Sequence, residues 1–109
     1  MKYVIDIDGT ICIPGSTEET RYKNSIPIQS RIDKINKLYD EGHTIVYLTA
    51  RGMGRYKNNA DLAKKEFYEF TESQLKSWGC RYHQLFLGKP SADYYIDDKG
   101  MHSNDFFGD

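Results

Sequence analysis

Asp6 and Asp8 stand one residue apart, straight after an apolar run and straight before Gly9-Thr10. Other polar groups repeat that placement farther along the chain. Thr49 follows the apolar run Thr44–Leu48, Lys89 follows Gln84–Leu87, and the pair Asp97-Asp98 follows Asp93–Ile96. Taken singly, each has an ordinary reading: a solvated strand end, a structural threonine, a surface lysine, an acidic turn. Taken together they bring carboxylates, a hydroxyl and an ammonium to the ends of successive strands. Clustered carboxylates repel, and a cation offsets that cost. An all-oxygen set suits Mg²⁺, which keeps some of its waters and pairs with a phosphate. A hydroxyl and a lysine beside it can hold the remaining phosphate oxygens.

Convergence of those groups requires a particular scaffold. Lys2–Ile7 is β-branched and apolar, as in a strand buried in a parallel sheet. The stretch Gly9–Asn24 is too long for a simple turn and reads as a functional loop over the strand end. Pro27 suits a first helical turn, and Ile28, Ile32, Ile35, Leu38 and Tyr39 then recur at helical spacing until Gly42. After the strand Thr44–Leu48 comes a second loop, Gly52–Asn59, and a helix from Ala60 to Trp78. In that helix Ala63, Phe67, Phe70, Gln74 and Trp78 form one stripe, read as core rather than as a cofactor surface. Gln84–Leu87 and Asp93–Ile96 are short third and fourth strands, and a polar tail carrying Phe106 and Phe107 closes the chain. Strands alternating with helices predict an α/β fold, a small Rossmann-like parallel sheet of about four strands flanked by helices. In such a sheet ligands bind at the carboxyl ends of the strands. The link from Leu87 to Asp93 is too short for a helical crossover, so it has to pass as a loop.

Bulk properties narrow the function classes. The 109 residues suit one domain, 1–109. A net charge of −1 makes no electrostatic case for nucleic acid or an anionic membrane. Cys12 and Cys80 are far apart and form no C-x-x-C, which reads as free thiols in a reducing compartment. No apolar run nears a membrane span, and an acid at position 6 interrupts any leader-like segment. The expectation is a cytoplasmic protein without a membrane partner.

In order, the stretches DIDGT, LTAR, GKP and YYIDDK resemble the four motifs of the haloacid dehalogenase-like phosphatases, over residues 3 to 99. The short length and the ending G-K-P with Y-I-D-D-K are similar to small bacterial phosphatases of capsule or surface-polysaccharide biosynthesis. The resemblance implies a Mg²⁺-dependent phosphomonoester hydrolase working through an aspartyl-phosphate. Asp6 would be the nucleophile and Asp8 the acid and base; Thr49 would bind a phosphoryl oxygen and Lys89 neutralise charge. Asp6, Asp8, Asp97 and Asp98 would form the metal site, Asp8 through its backbone carbonyl. Alternation along a strand points residues i and i+2 the same way, so Asp6 and Asp8 can face one phosphorus with Ile7 behind them. Gly9 permits a tight turn there.

Neither gap between these motifs has room for an inserted cap, so the site is expected to be open. Gly9, Thr10, Tyr22, Arg51 and Arg55 are the candidate substrate contacts, on the two loops and the first turn. The substrate expected is a small phosphorylated metabolite such as a sugar or polyol phosphate. A homo-oligomer that closes the site is a further expectation, with Phe106 and Phe107 buried either on their own domain or between subunits. A nucleic-acid 3′-end phosphatase is the alternative, weakened by the near-neutral charge. A phospho-accepting receiver domain is more distant, because receivers place the acidic pair first and the acceptor mid-chain.

Overall fold

A computed structural model describes all 109 residues. In chain order the elements are β1 (Lys2–Ile5), β2 (Cys12–Ile13), β3 (Ile26–Pro27), α1 (Gln29–Asp40), β4 (Thr44–Thr49), α2 (Ala60–Ser77), β5 (Gln84–Leu87) and α3 (Ser103–Phe107). A parallel sheet of three strands, ordered β1-β4-β5, carries the fold. Its register sets Ile5 level with Tyr47 and Leu87 level with Thr49. The central strand β4 is flanked on both sides, and Ile45, Val46 and Tyr47 are all buried, as a strand covered on both faces requires. β1 alternates instead: Ile5 is buried while Val4 is exposed.

Helix α1 buries Ile32 and Ile35, and Gly42, at φ +95°, ends the turn that follows it. Helix α2 starts at Asn59, whose side chain accepts from the Leu62 N–H at 3.2 Å. That satisfies one of the donors a helix N-terminus leaves open. One contiguous core joins Ile5, Ile7, Ile11, Ile32, Ile35, Ile45, Tyr47, Leu75 and Leu85. No helix is long and apolar enough to cross a membrane.

The α/β class and the parallel sheet stand as expected; several details differ. The fourth strand does not form: Pro90–His102 is exposed throughout and pairs with nothing in the sheet. The short link after β5 is the physical reason, since it cannot carry the chain back to the start of a neighbouring parallel strand. The Gly9–Asn24 stretch is not wholly irregular, because β2 pairs antiparallel with β3. Pro27 lies in β3 rather than in the first turn of α1, and the Ile28 N–H donates to Ile11 O at 2.8 Å. On α2 the buried positions are Ala63, Thr71 and Leu75, so the inward face is rotated from the expected stripe. Phe106 and Phe107 pack back on their own domain. Phe106 meets Tyr3 at 5.8 Å between ring centroids, and the Arg31 guanidinium lies 4.6 Å from the Phe107 ring. Arg31 also grips Asp109, with contacts of 2.7 and 3.0 Å.

Candidate active site

The turn after β1 is wound tightly. Thr10 N–H and Ile11 N–H both donate to Ile7 O, at 3.0 and 2.9 Å, and Gly9 N–H donates to Cys12 O at 3.0 Å. Gly9 takes φ +79°, a region glycine enters without steric cost. Ile7 is fully buried behind the turn, which leaves Asp6 and Asp8 on the open side.

Asp6 is about one third exposed. Its Oδ2 accepts from the Thr10 hydroxyl at 3.5 Å and lies 3.9 Å from Lys89 Nζ. Burial pushes the Asp6 carboxyl above its usual range; Lys89 pulls it back in part, and the nearby Asp8 pushes it further up. Lys89 is held by its backbone, since the Gly88 and Lys89 N–H groups both donate to Thr49 O at 3.2 Å. Thr49 ends β4 and is 1% exposed, and its Oγ1 accepts from the Arg51 N–H at 3.1 Å. The ends of all three strands thus meet at one place, as expected for Asp6, Asp8, Thr49 and Lys89.

Arg51 lines the cleft but is buried, and it donates to both Asp8 oxygens at 3.0 Å each. The Tyr22 ring covers its guanidinium at 4.8 Å, and the Thr71 hydroxyl accepts from it at 3.3 Å. A buried ion pair survives when its geometry is bidentate and the leftover protons find partners, and both conditions hold here. Cys12 Sγ is 3.6 Å from Asp8 Oδ1. Burial, with the Asp8 charge second, pushes the Cys12 thiol up to about 12; burial alone raises Cys80 to about 11. Neither is a nucleophile at neutral pH.

Above this floor lies a cleft of about 540 Å³. Tyr22, Phe67 and Phe70 contribute its aromatic side, and Tyr22 meets Phe67 edge-on at 5.1 Å. Gly52, at φ +80°, is where the loop after β4 presses against α2: a Cβ there would come within 2.6 Å of the Phe67 ring. The rim mixes Arg21, Lys23 and Arg55 with Glu18, Glu19 and Glu66, and Arg55 is tied to Glu66. Of the expected substrate contacts, Tyr22, Arg51 and Arg55 line the cleft, while Gly9 and Thr10 shape its floor through the turn and the Asp6 contact. Phe67 and Phe70 belong to the cleft as well as to α2. Their spacing of three puts them on one helix face, but helical spacing alone does not separate core from cleft.

Asp97 and Asp98 do not join the others. Both are exposed on the unpaired segment, and Asp97 Oδ1 accepts from the Lys99 backbone N–H. Nowhere in the chain do three or more His, Cys, Asp or Glu side chains come together as a metal set. The four carboxylates expected at the Mg²⁺ site, Asp6, Asp8, Asp97 and Asp98, are thus not gathered in one place.

No family model matches the sequence, and no curated protein matches it. Among solved structures, the chain is similar to the crystal structure of an MCSG target from Vibrio cholerae. The identity is 26% and the TM-score 0.86, over 97% of this chain and 86% of that one.

Proposed function

We propose that the chain is a phosphomonoester hydrolase that works through an aspartyl-phosphate on Asp6. The observation that carries this reading is the convergence of Asp6, Asp8, Thr49 and Lys89 at the carboxyl ends of three parallel strands, with Asp6, Asp8 and Thr49 lining a cleft and Lys89 3.9 Å from Asp6. Added to it is the resemblance of DIDGT, LTAR, GKP and YYIDDK to the haloacid dehalogenase-like motifs, which implies that family's core without a cap. Consistent with the capless reading, only the β2–β3 hairpin and α1 separate β1 from β4, and only a loop and α2 separate β4 from β5.

In this reading an Asp6 oxygen attacks phosphorus as the bond to the leaving oxygen breaks, and the leaving oxygen takes up a proton. Water then attacks the phosphorus, loses a proton, releases inorganic phosphate and restores the Asp6 carboxylate. Lys89 offsets charge on Asp6 and on the transferring group, and the Thr49 hydroxyl donates to a phosphoryl oxygen. Asp8 is the proton carrier. Because both of its oxygens face Arg51, it has to turn out of that fork to reach a leaving oxygen. No step is routed through Mg²⁺, since the four carboxylates expected to hold it are not gathered in one place.

The cleft supports a small hydroxyl-rich phosphate, such as a sugar or polyol phosphate used in making capsule or surface polysaccharide in the cytoplasm. Aromatic faces and paired rim charges serve such a ligand. A nucleic-acid end phosphatase needs a basic track for the backbone, and here three acids interrupt the rim. The test is a screen of sugar, polyol and nucleotide phosphates and of 3′-phosphorylated oligonucleotides, with and without Mg²⁺. Hydrolysis of the small phosphates that vanishes in Asp6→Asn is the expected result. Silence on every phosphomonoester defeats the reading.

A further inference from the structure

Tyr22, Phe67 and Phe70 all line the cleft, and the ion pair beneath them fixes the side on which they stand. Arg51 donates to both Asp8 oxygens at 3.0 Å, and its guanidinium carbon lies 4.8 Å from the Tyr22 ring and 6.0 Å from the Phe70 ring. Lys89 stands instead by Asp6, at 3.9 Å. The aromatic wall therefore rises beside Asp8, the proton carrier for the leaving oxygen, and that is the side on which the leaving group has to lie. We infer that this wall is the leaving-group subsite, and that it selects a cyclic sugar phosphate without a second acidic group over open-chain polyol phosphates and acidic sugars. The inference rests on the phosphatase reading and narrows its substrate.

The wall is built before any ligand arrives. Tyr22 is held at both ends: the Gly52 N–H donates to its hydroxyl at 3.2 Å, and Gln74 Nε2 donates to its carbonyl oxygen at 2.7 Å. Its ring meets Phe67 edge-on at 5.1 Å, and Gly52 presses on Phe67 from behind. Phe70 stands three residues farther along α2 and is 38% exposed, so part of its ring is free to meet a ligand. A pyranose presents a flat row of C–H bonds that can cover such rings, and it loses little freedom when bound. An open chain of the same atoms has to freeze several rotors to do so. The hydroxyls at the edge of the ring find the Arg55–Glu66 pair on the rim, where planar groups donate and accept side by side.

The charges of the cleft leave no seat for a second anion. Arg51 is matched by Asp8, Arg55 by Glu66 and Lys89 by Asp6. The other rim cations, Arg21 and Lys23, share their loop with Glu18 and Glu19. Lys89 and Thr49 serve the phosphoryl group and are not free for a second acid. A carboxylate on the leaving group would lose water against a wall of balanced charge and aromatic faces, which costs affinity.

Matched substrates test both halves. Glucose, mannose and galactose 6-phosphates are assayed beside the hexitol 6-phosphate of the same configuration, and glucose 1-phosphate beside glucuronic acid 1-phosphate. For the best hexose, kcat/KM should exceed that of its hexitol about tenfold, and the acid should be the poorer of the second pair by a similar factor. Phe70→Leu should lower the ring-over-chain ratio about fivefold, mainly through KM, and Phe70→Tyr should restore it. A hexitol turned over as well as its hexose overturns the ring preference, and an acid turned over as well as its neutral partner overturns the charge argument. A second arm reads binding alone. In Asp6→Asn, the C–H protons of the same hexose phosphate should move upfield in an NMR titration as they enter the aromatic ring currents, and Phe70→Leu in that background should lose most of the shift. Binding without an upfield shift, or no binding at all, overturns the subsite even where hydrolysis is found. A wild type silent on every phosphomonoester defeats the phosphatase reading, while the titration still decides whether the wall takes a pyranose.

Discussion

Asp6 is held in a place that favours its neutral form, and that makes its chemistry and its stability separable. Burial raises its pKa above the usual 3.8, with Lys89 only partly compensating. The folded chain therefore binds a proton more tightly at Asp6 than the unfolded chain does. Stability from this group is intact below pH 3.8 and is lost as pH rises through the raised value. Asp6→Asn should then melt at a higher temperature than wild type at neutral pH, with the gain shrinking toward zero below the ordinary carboxylate range. Turnover should fall by about a thousandfold or more. Thermal melts across pH, run beside phosphatase assays, check both; a gain that does not depend on pH contradicts the burial argument. Arg51 behaves in the opposite sense. Removing it strands Asp8, whose side chain is only 13% exposed, so Arg51→Met should cost about 3 kcal/mol in urea unfolding. Asp8→Asn in the same chain removes the stranded charge and should recover part of that loss. A double variant less stable than Arg51→Met alone would show that the pair is not what Arg51 supports.

Loops set against the elements decide the shape of the cleft, and Gly52 is the contact that matters most. It combines a positive φ with an approach to Phe67 that leaves no room for a methyl group. Gly52→Ala should cost about 1–3 kcal/mol from strain and overpacking. It should also raise KM more than it lowers kcat, because the displaced Phe67 ring lines the cleft rather than its floor; steady-state kinetics and urea unfolding measure the two effects. Elements of this kind were legible in the sequence to different depths. β4 could be read because five apolar or β-branched residues end at Thr49, and α1 because its isoleucines recur at helical spacing until a glycine. The convergence of Asp6, Asp8, Thr49 and Lys89 could be read because each follows an apolar run and a parallel sheet gathers such ends. The β2–β3 pairing could not, since its strands are only two residues long. Sequence position puts Arg51 in the loop after β4, by the cleft, but says nothing of its fork to Asp8. The segment Asp93–Ile96 has the residues of a strand, but composition does not say whether a strand finds a partner, and this one pairs with none.

At the scale of the molecule, residues 103–109 close back on the first strand and the first helix. Arg31 is buried, and it donates to Asp109 at 2.7 and 3.0 Å, to Asn104 Oδ1 at 3.0 Å and to Thr10 O at 3.0 Å. Phe106 meets Tyr3 at 5.8 Å, and the Phe107 ring lies 4.6 Å from the Arg31 guanidinium. The bond to Thr10 O joins this clasp to the turn that carries Asp6. Removing residues 103–109 leaves a buried guanidinium without its Asp109 and Asn104 acceptors, so the shortened chain should unfold at a lower urea concentration than the full chain. Arg31→Met in the shortened chain should recover part of that loss, because it removes the stranded charge and keeps an apolar stem. A shortened chain that unfolds at the wild-type midpoint would mean that the clasp holds nothing in place.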